Sequence, residues 1–288
     1  ESVFKWKEVV RRGRNRGTSL HFFMIDYLTL KLMFEIRTDQ TFFHYKSFIN
    51  NYADFSNIED ELSELSRYAS AYKKIEQPNP ATSLGQLCIR LKLLDMTTMN
   101  SLLLQKEGHE TLTDNDKSQY YQYLDSYVTR RFVCGLTAKN YNLFFLSCMK
   151  FIANNINPID FRSFLSEKEV DSSIWPSDRL IRAKILNRPI YNDEISKRGM
   201  LKNILLCVEQ SLSSNKSEKV RYDPNDLTIE HMMPQTWSEH WPLGDQKVSA
   251  EDIDVASTEL IKEDNADGYY HRVHKRNEMI QSFGNLTL

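Results

Sequence analysis

At 288 residues the chain has room for two domains, or for one large helical domain with a small appendage. Its 41% hydrophobic content is enough for a sizeable core and excludes disorder as the default. The balance of 37 basic against 39 acidic residues excludes a global polyanion-binding surface, so any nucleic-acid contact must be a local patch.

Scarce Gly (9) and Pro (8) favour long helices over many short strands. The four cysteines, Cys88, Cys134, Cys148 and Cys207, are far apart and form no CxxC pair. That usage fits a reducing cytosol, with neither disulfides nor a zinc-thiolate site. No apolar run approaches the roughly 20 residues of a membrane span. The opening "ESVFKWKEVVRRGRNRG" has neither an initiator Met nor a signal-peptide core, and reads as the interior of a longer protein.

Taken in chain order, "RRGRNRG" puts Arg11, Arg12, Arg14 and Arg16 among two glycines. It reads as a loop between helices, either gripping phosphates or simply solvated. "LHFFMIDYLTLKLMFEIR" (Leu20 to Arg37) has few polar interruptions and predicts a largely buried helix. "NIEDELSELSRYASAYKKIE" predicts a helix capped by Asn57, with acids first and lysines last to complement its dipole. "TDNDKSQYYQYLDSYVTRRFVCGL" begins at a Thr/Asp cap and ends at Gly135. "NPIDFRSFLSE" and "WPSDRLIRAKILN" each start near a proline, and "DEISKRGMLKNILLCVEQSLSS" closes the helical series.

A polar linker at Ser213 to Lys219 follows, and beyond it the character changes. "DLTIEHM" has β propensity, "WSEHWPLGDQ" is turn-rich, and Val248 to Gly268 is an acidic insertion. "YYHRVHKRNEMIQSF" predicts a short helix, and "GNLTL" a short strand opening at Gly284. The predicted organisation is a helical domain over 1–219 and a second domain over 220–288.

The chemistry concentrates in that second part. His231 is a side chain able to exchange a proton near neutral pH. Glu230 beside it is a hard oxygen donor of the kind Mg²⁺ prefers. Asn285, more than fifty residues later, is placed either to lock the backbone around the histidine or to make a hairpin turn. Arg272, Lys275 and Arg276, with His271 and His274 among them, form a cationic cluster suited to phosphates or to a solvated helix face.

"IEHMMPQTW" (Ile229 to Trp237) followed by "GNLTL" (Gly284 to Leu288) resembles the His-Me finger (ββα-metal) nucleases. The pair is more closely similar to the C-terminal domain of the GmrSD-type modification-dependent restriction endonucleases. "YVTRRFVCGLTAKNYNLFF" and "RGMLKNILLCVEQ" also resemble helices of such proteins. The resemblance implies a mainly α chain, multi-helical at first and ending in a small, incomplete ββα-metal domain. It implies hydrolysis of DNA phosphodiesters, with His231 as general base and Asn285 orienting its loop. One Mg²⁺ or Mn²⁺ would be held through Glu230 and a further ligand on a helix after Leu288. It also implies foreign DNA with modified bases as substrate, for which the charge pattern offers Arg272, Lys275, Arg276 and the Arg11, Arg12, Arg14, Arg16 cluster as candidate contacts.

The Asp-Gly-Gln-Gln-Arg motif of the nucleotide-using domain of such proteins does not occur here, so no nucleotide site is placed on this chain. Because the sequence stops before the helix that follows the second strand and completes the metal site, residues 1–288 alone are expected not to cut DNA. The rival readings are a non-catalytic helical module that binds DNA or protein and keeps a decayed nuclease motif, and a nuclease acting on RNA.

Overall fold

The computed structural model describes residues 4–212, 223, 226–258 and 268–288. The Ser213 to Lys219 linker and part of the acidic insertion lie outside them. The described chain is mainly α and divides into two compact units, residues 1–131 with 136–175, and residues 132–135 with 176–288.

The first unit opens with a β-hairpin, β1 (Val9–Arg12) and β2 (Asn15–Thr18), paired antiparallel with Arg11 opposite Arg16 and Arg12 opposite Asn15. This corrects the expected interhelical loop. Gly13 supplies the positive φ (57°) that a two-residue hairpin turn needs at its first position. Strand alternation then separates the arginines. Arg11 and Arg16 are exposed, while Arg12 points inward.

Helices follow: α1 (Ser19–Leu32), α2 (Thr41–Asn51), α3 (Ile58–Glu76), α4 (Ser83–Leu93) and α5 (Asn100–Glu107). Next come α6 (Asp114–Cys134), α7 (Tyr141–Asn154) and α8 (Pro158–Ser166). Helix α1 stops five residues short of Arg37, because Met33 takes a left-handed conformation and its N–H closes on Thr29 O. Asn57 caps α3 by accepting from Asp60 N at 2.9 Å, and Thr113 does the same for α6 from Asp116 N. Pro158 sits in the first turn of α8.

Helix α5 is the centre of this unit. Residues Asn100 to Lys106 are all buried, against α1, α3 and α7. The apolar core around it is rich in aromatics, among them Tyr27, Tyr72, Tyr120, Tyr127 and Phe145.

The second unit holds α9 (Asp178–Asn187), the short α10 (Ile190–Asp193) and α11 (Arg198–Leu212). Beyond the linker come β3 (Glu230–His231), the single turn α12 (Trp237–His240), α13 (Ala250–Thr258), α14 (Tyr269–Met279) and β4 (Leu286–Thr287). The division falls at Trp175/Pro176 rather than near residue 220. The reason is that α9 to α11 pack with the motif-bearing segments. Tyr191 N donates to Gln281 O, Lys202 Nζ donates to Leu227 O, and α9 lies against α14 and the turn Phe283–Asn285. Arg188 ties the end of α6 to α10, bonding Phe132 O, Val133 O, Asp193 and Glu194. Gly135, at φ 68°, ends α6 here, and a Cβ on it would come within 2.7 Å of Arg188 Nε.

None of the four cysteines forms a disulfide. Among the described residues no helix is long and apolar enough to cross a membrane.

Candidate functional site

Strands β3 and β4 pair antiparallel, Glu230 opposite Thr287 and His231 opposite Leu286. The second strand starts at Leu286. Gly284 and Asn285, expected to open it, lie in a 3-10 turn instead. Two residues per strand is little ladder, and an isolated pair this short is marginal in water. What holds it is Asn285.

The Asn285 side chain is buried and makes three hydrogen bonds to main chain. Its Oδ1 accepts from Met233 N at 2.8 Å, and its Nδ2 donates to Met233 O at 2.9 Å and Ile280 O at 3.0 Å. The Asn285 carbonyl also accepts from Met232 N at 2.9 Å. Both residues after His231 are therefore fastened, which fixes where the chain leaves the strand. Trp237 locks the next turn: it is fully buried with Val248, Ala256, Val273 and Ile280, and its Nε1 donates to Asn277 Oδ1 at 3.4 Å.

His231 is half-buried. Its ring meets Tyr191 edge-on, with centroids 4.7 Å apart and planes at 77°. Its Nε2 lies 3.3 Å from Gln281 Oε1. An amide oxygen only accepts, so Nε2 is the donor in this contact, and in the neutral ring the lone pair is then on Nδ1. Nδ1 has no partner among the described residues. The arrangement presents a basic nitrogen on a ring that two neighbours hold.

Tyr191 and Gln281 were not singled out in the sequence. Gln281 has one weak signal, its place four residues before Asn285. Tyr191 has none, because it approaches from forty residues upstream through its own backbone bond to Gln281.

The other expected site residues are scattered. Glu230 is exposed and accepts from Thr228 Oγ1 at 2.8 Å, and the pleat directs it away from His231. Arg272 and Lys275 are exposed on α14. Arg276 is drawn inward: its Nη1 donates to Trp241 O and Pro242 O, and its guanidinium lies 5.2 Å from the Trp237 ring. His274 pairs with Glu278 on the same helix.

In the first unit, Arg11, Arg14 and Arg16 are exposed. Arg12 departs from the expected phosphate contact. It bonds Asp26 at 2.7 Å, Tyr72 Oη at 2.7 Å and Glu76 at 3.0 Å, which occupies the guanidinium with internal acceptors. Burial works against its charge, and Asp26, Tyr72 and Glu76 outweigh it, so it stays protonated.

Among the described residues no group of three or more His, Cys, Asp or Glu converges as a metal site would require. One exposed carboxylate does not fit a Mg²⁺ or Mn²⁺ site by itself, since such ions need several oxygen ligands in near-octahedral order.

The second unit is thus a small helical module around a two-strand element that displays a half-exposed histidine. Residues 175–288 match the family described as GmrSD restriction endonucleases, C-terminal domain. That segment is similar to the C-terminal region of GmrSD restriction endonucleases, and residues 1–174 lie outside the match. The match begins where the compact unit begins. No curated protein and no solved structure matches the chain.

Proposed function

We propose that the second unit is a His-Me finger that hydrolyses phosphodiester bonds in DNA, with His231 as general base. The single observation that carries this is the His231 ring, met edge-on by Tyr191 and contacted at Nε2 by Gln281 Oε1, with Nδ1 left for a water. A base so placed draws the proton from a water as it attacks phosphorus. Asn285 acts one step removed, keeping the Met232–Met233 turn closed so that the ring cannot swing. Arg272 and Lys275, exposed on α14, are the proposed phosphate contacts, together with Arg11, Arg14 and Arg16 of the first unit.

Glu230 is the carboxylate this segment offers to a divalent ion. It does not complete a site among the described residues. The same observation favours a second reading, a DNA-binding module whose nuclease motif has decayed. Modified bases as the substrate class follow from the family likeness, not from any pocket in this unit.

The test compares a version of the chain extended beyond Leu288 with its His231→Ala variant on modified plasmid, unmodified plasmid and RNA, in Mg²⁺ and in Mn²⁺. Cleavage of DNA that falls about 10²–10⁴-fold in the variant, at nearly constant DNA affinity, is expected. Undiminished cleavage by His231→Ala would end the mechanism. Salt-dependent binding without any cutting selects the decayed module, and cutting confined to RNA selects the third alternative.

A further inference from the structure

Several cations in the second unit have internal partners. Arg188 bonds Asp193 and Glu194, Lys197 lies 3.9 Å from Glu194, and Lys202 donates to Leu227 O. Arg198 is different. Its guanidinium carbon lies 3.9 Å from the centroid of the Tyr191 ring, and its Nε is buried without a hydrogen-bond partner. Among the described residues no carboxylate pairs with it.

Its position adds a further cost. Arg198 opens α11, whose first turn contains no acid, so the helix dipole opposes its charge. A buried N–H left unbonded and a cation at the wrong helix end both destabilise the free protein. The stack on Tyr191 returns part of that, but leaves the outer guanidinium donors uncommitted. A residue kept at such cost needs an anionic partner that the fold does not supply.

The ring it stacks on says where that partner would sit. Tyr191 has Arg198 on its face and meets the His231 ring edge-on at 4.7 Å. One aromatic ring therefore carries both the cation and the imidazole, and fixes each relative to the other. Planar guanidinium suits the paired oxygens of a phosphodiester better than an ammonium does.

We propose that Arg198 is a phosphate-binding residue of the His231 site, held on Tyr191 as a platform, and grips the DNA backbone next to the histidine. This rests on the reading of that site as one that takes DNA. Tyr191 is then a positioning residue for both groups, acting through its ring and not through its hydroxyl.

The experiment is fluorescence anisotropy of a short labelled duplex with the 288-residue chain, in EDTA, over a series of salt concentrations. Arg198→Ala is expected to weaken binding about tenfold and to lower the salt slope by about one released counterion. Arg198→Met, which keeps an apolar side chain on the ring, should show the same slope change if Arg198→Ala folds poorly. Arg198→Lys should regain part of the affinity. Arg162→Ala, an exposed arginine of the first unit, should change neither quantity. Unchanged affinity and slope in Arg198→Ala and Arg198→Met, while the parent binds in a salt-dependent way, overturn the proposal alone. A lower melting temperature with an unchanged slope assigns Arg198 a structural role and overturns it too. Absence of salt-dependent binding by the parent chain defeats the DNA reading itself, and this inference with it.

Discussion

In the first unit α5 is buried on nearly every side by α1, α3 and α7, with Leu102, Leu103 and Leu104 wholly inside. In the second unit the core around the histidine strand is Trp237 with Val248, Ala256, Val273 and Ile280. The first gains stability from apolar area, which is non-directional and spread over many side chains. The second relies on a handful of directed bonds, three of them from Asn285, to hold strands of two residues each. A fold supported by area tolerates a single loss, whereas one supported by a few directed contacts transmits each loss to the site. Proton-handling chemistry requires that second kind of support, because a ring must be aimed as well as buried.

The largest expected effect tests this difference directly. Trp237→Ala removes the largest side chain in its cluster and should cost about 3–5 kcal/mol. Leu103→Ala, equally buried, should cost about 2–5 kcal/mol but leave the surrounding helices in place. Hydrogen exchange followed along the chain distinguishes them. Protection should vanish from residues 230–233 and 269–287 in Trp237→Ala, and persist through α5 in Leu103→Ala. If the tryptophan variant keeps its protection at Met232 and Met233, the second unit has more support than its apolar cluster suggests.

Asn285→Ala comes next. It strands the Met233 N–H and the carbonyls of Met233 and Ile280, an expected cost of about 1–3 kcal/mol after water reaches some of them. Asn285→Asp should be no milder, since its carboxylate would face the two carbonyls that Nδ2 now serves. The sharper readout is the Met233 amide, which should exchange far faster in both variants while α14 stays protected. Equal loosening of α14 would show that Asn285 supports the whole unit and not the turn behind His231.

Much of the helical layout was legible because its signals are local. Asn57, Thr113 and Pro158 mark helix starts within one turn, and Gly135 marks an end by its own φ. The pairing of "EH" with "LT" was legible through the two motif halves together. The rest depends on residues far apart in sequence. The hairpin at 9–18 went unseen because its strands read VVRR and NRGT, without apolar alternation. Arg12 looked like its neighbours until Asp26 and Glu76, 14 and 64 residues away, were brought to it. The boundary at 175 was hidden for a similar reason. Helices α9 to α11 have the same periodicity as those before them, and only their partners place them with the motif.

The smallest effect lies in the first unit and has the opposite sign. Lys106 is fully buried on α5, its Nζ 4.1 Å from the Tyr120 ring centroid and without a hydrogen-bond partner. Burial, with the charge of Lys117 adding to it, pushes its pKa from 10.5 down to about 7. Between those two values the unfolded chain binds a proton that the folded one does not, so stability rises with pH across the window. Below about 7 the folded chain carries a buried cation and the full cost is present. Lys106→Met removes the charge and keeps the length, and should stabilise the unit by about 1–2 kcal/mol near pH 6. The advantage should shrink steadily toward about pH 10, where the parent lysine is neutral when folded and nearly so when unfolded. Urea titrations of both proteins across that range provide the measurement. A gap that stays constant with pH would mean that the Tyr120 ring holds the ammonium charged throughout. A variant less stable than the parent would mean that even an area-supported core depends on one directed contact at its centre.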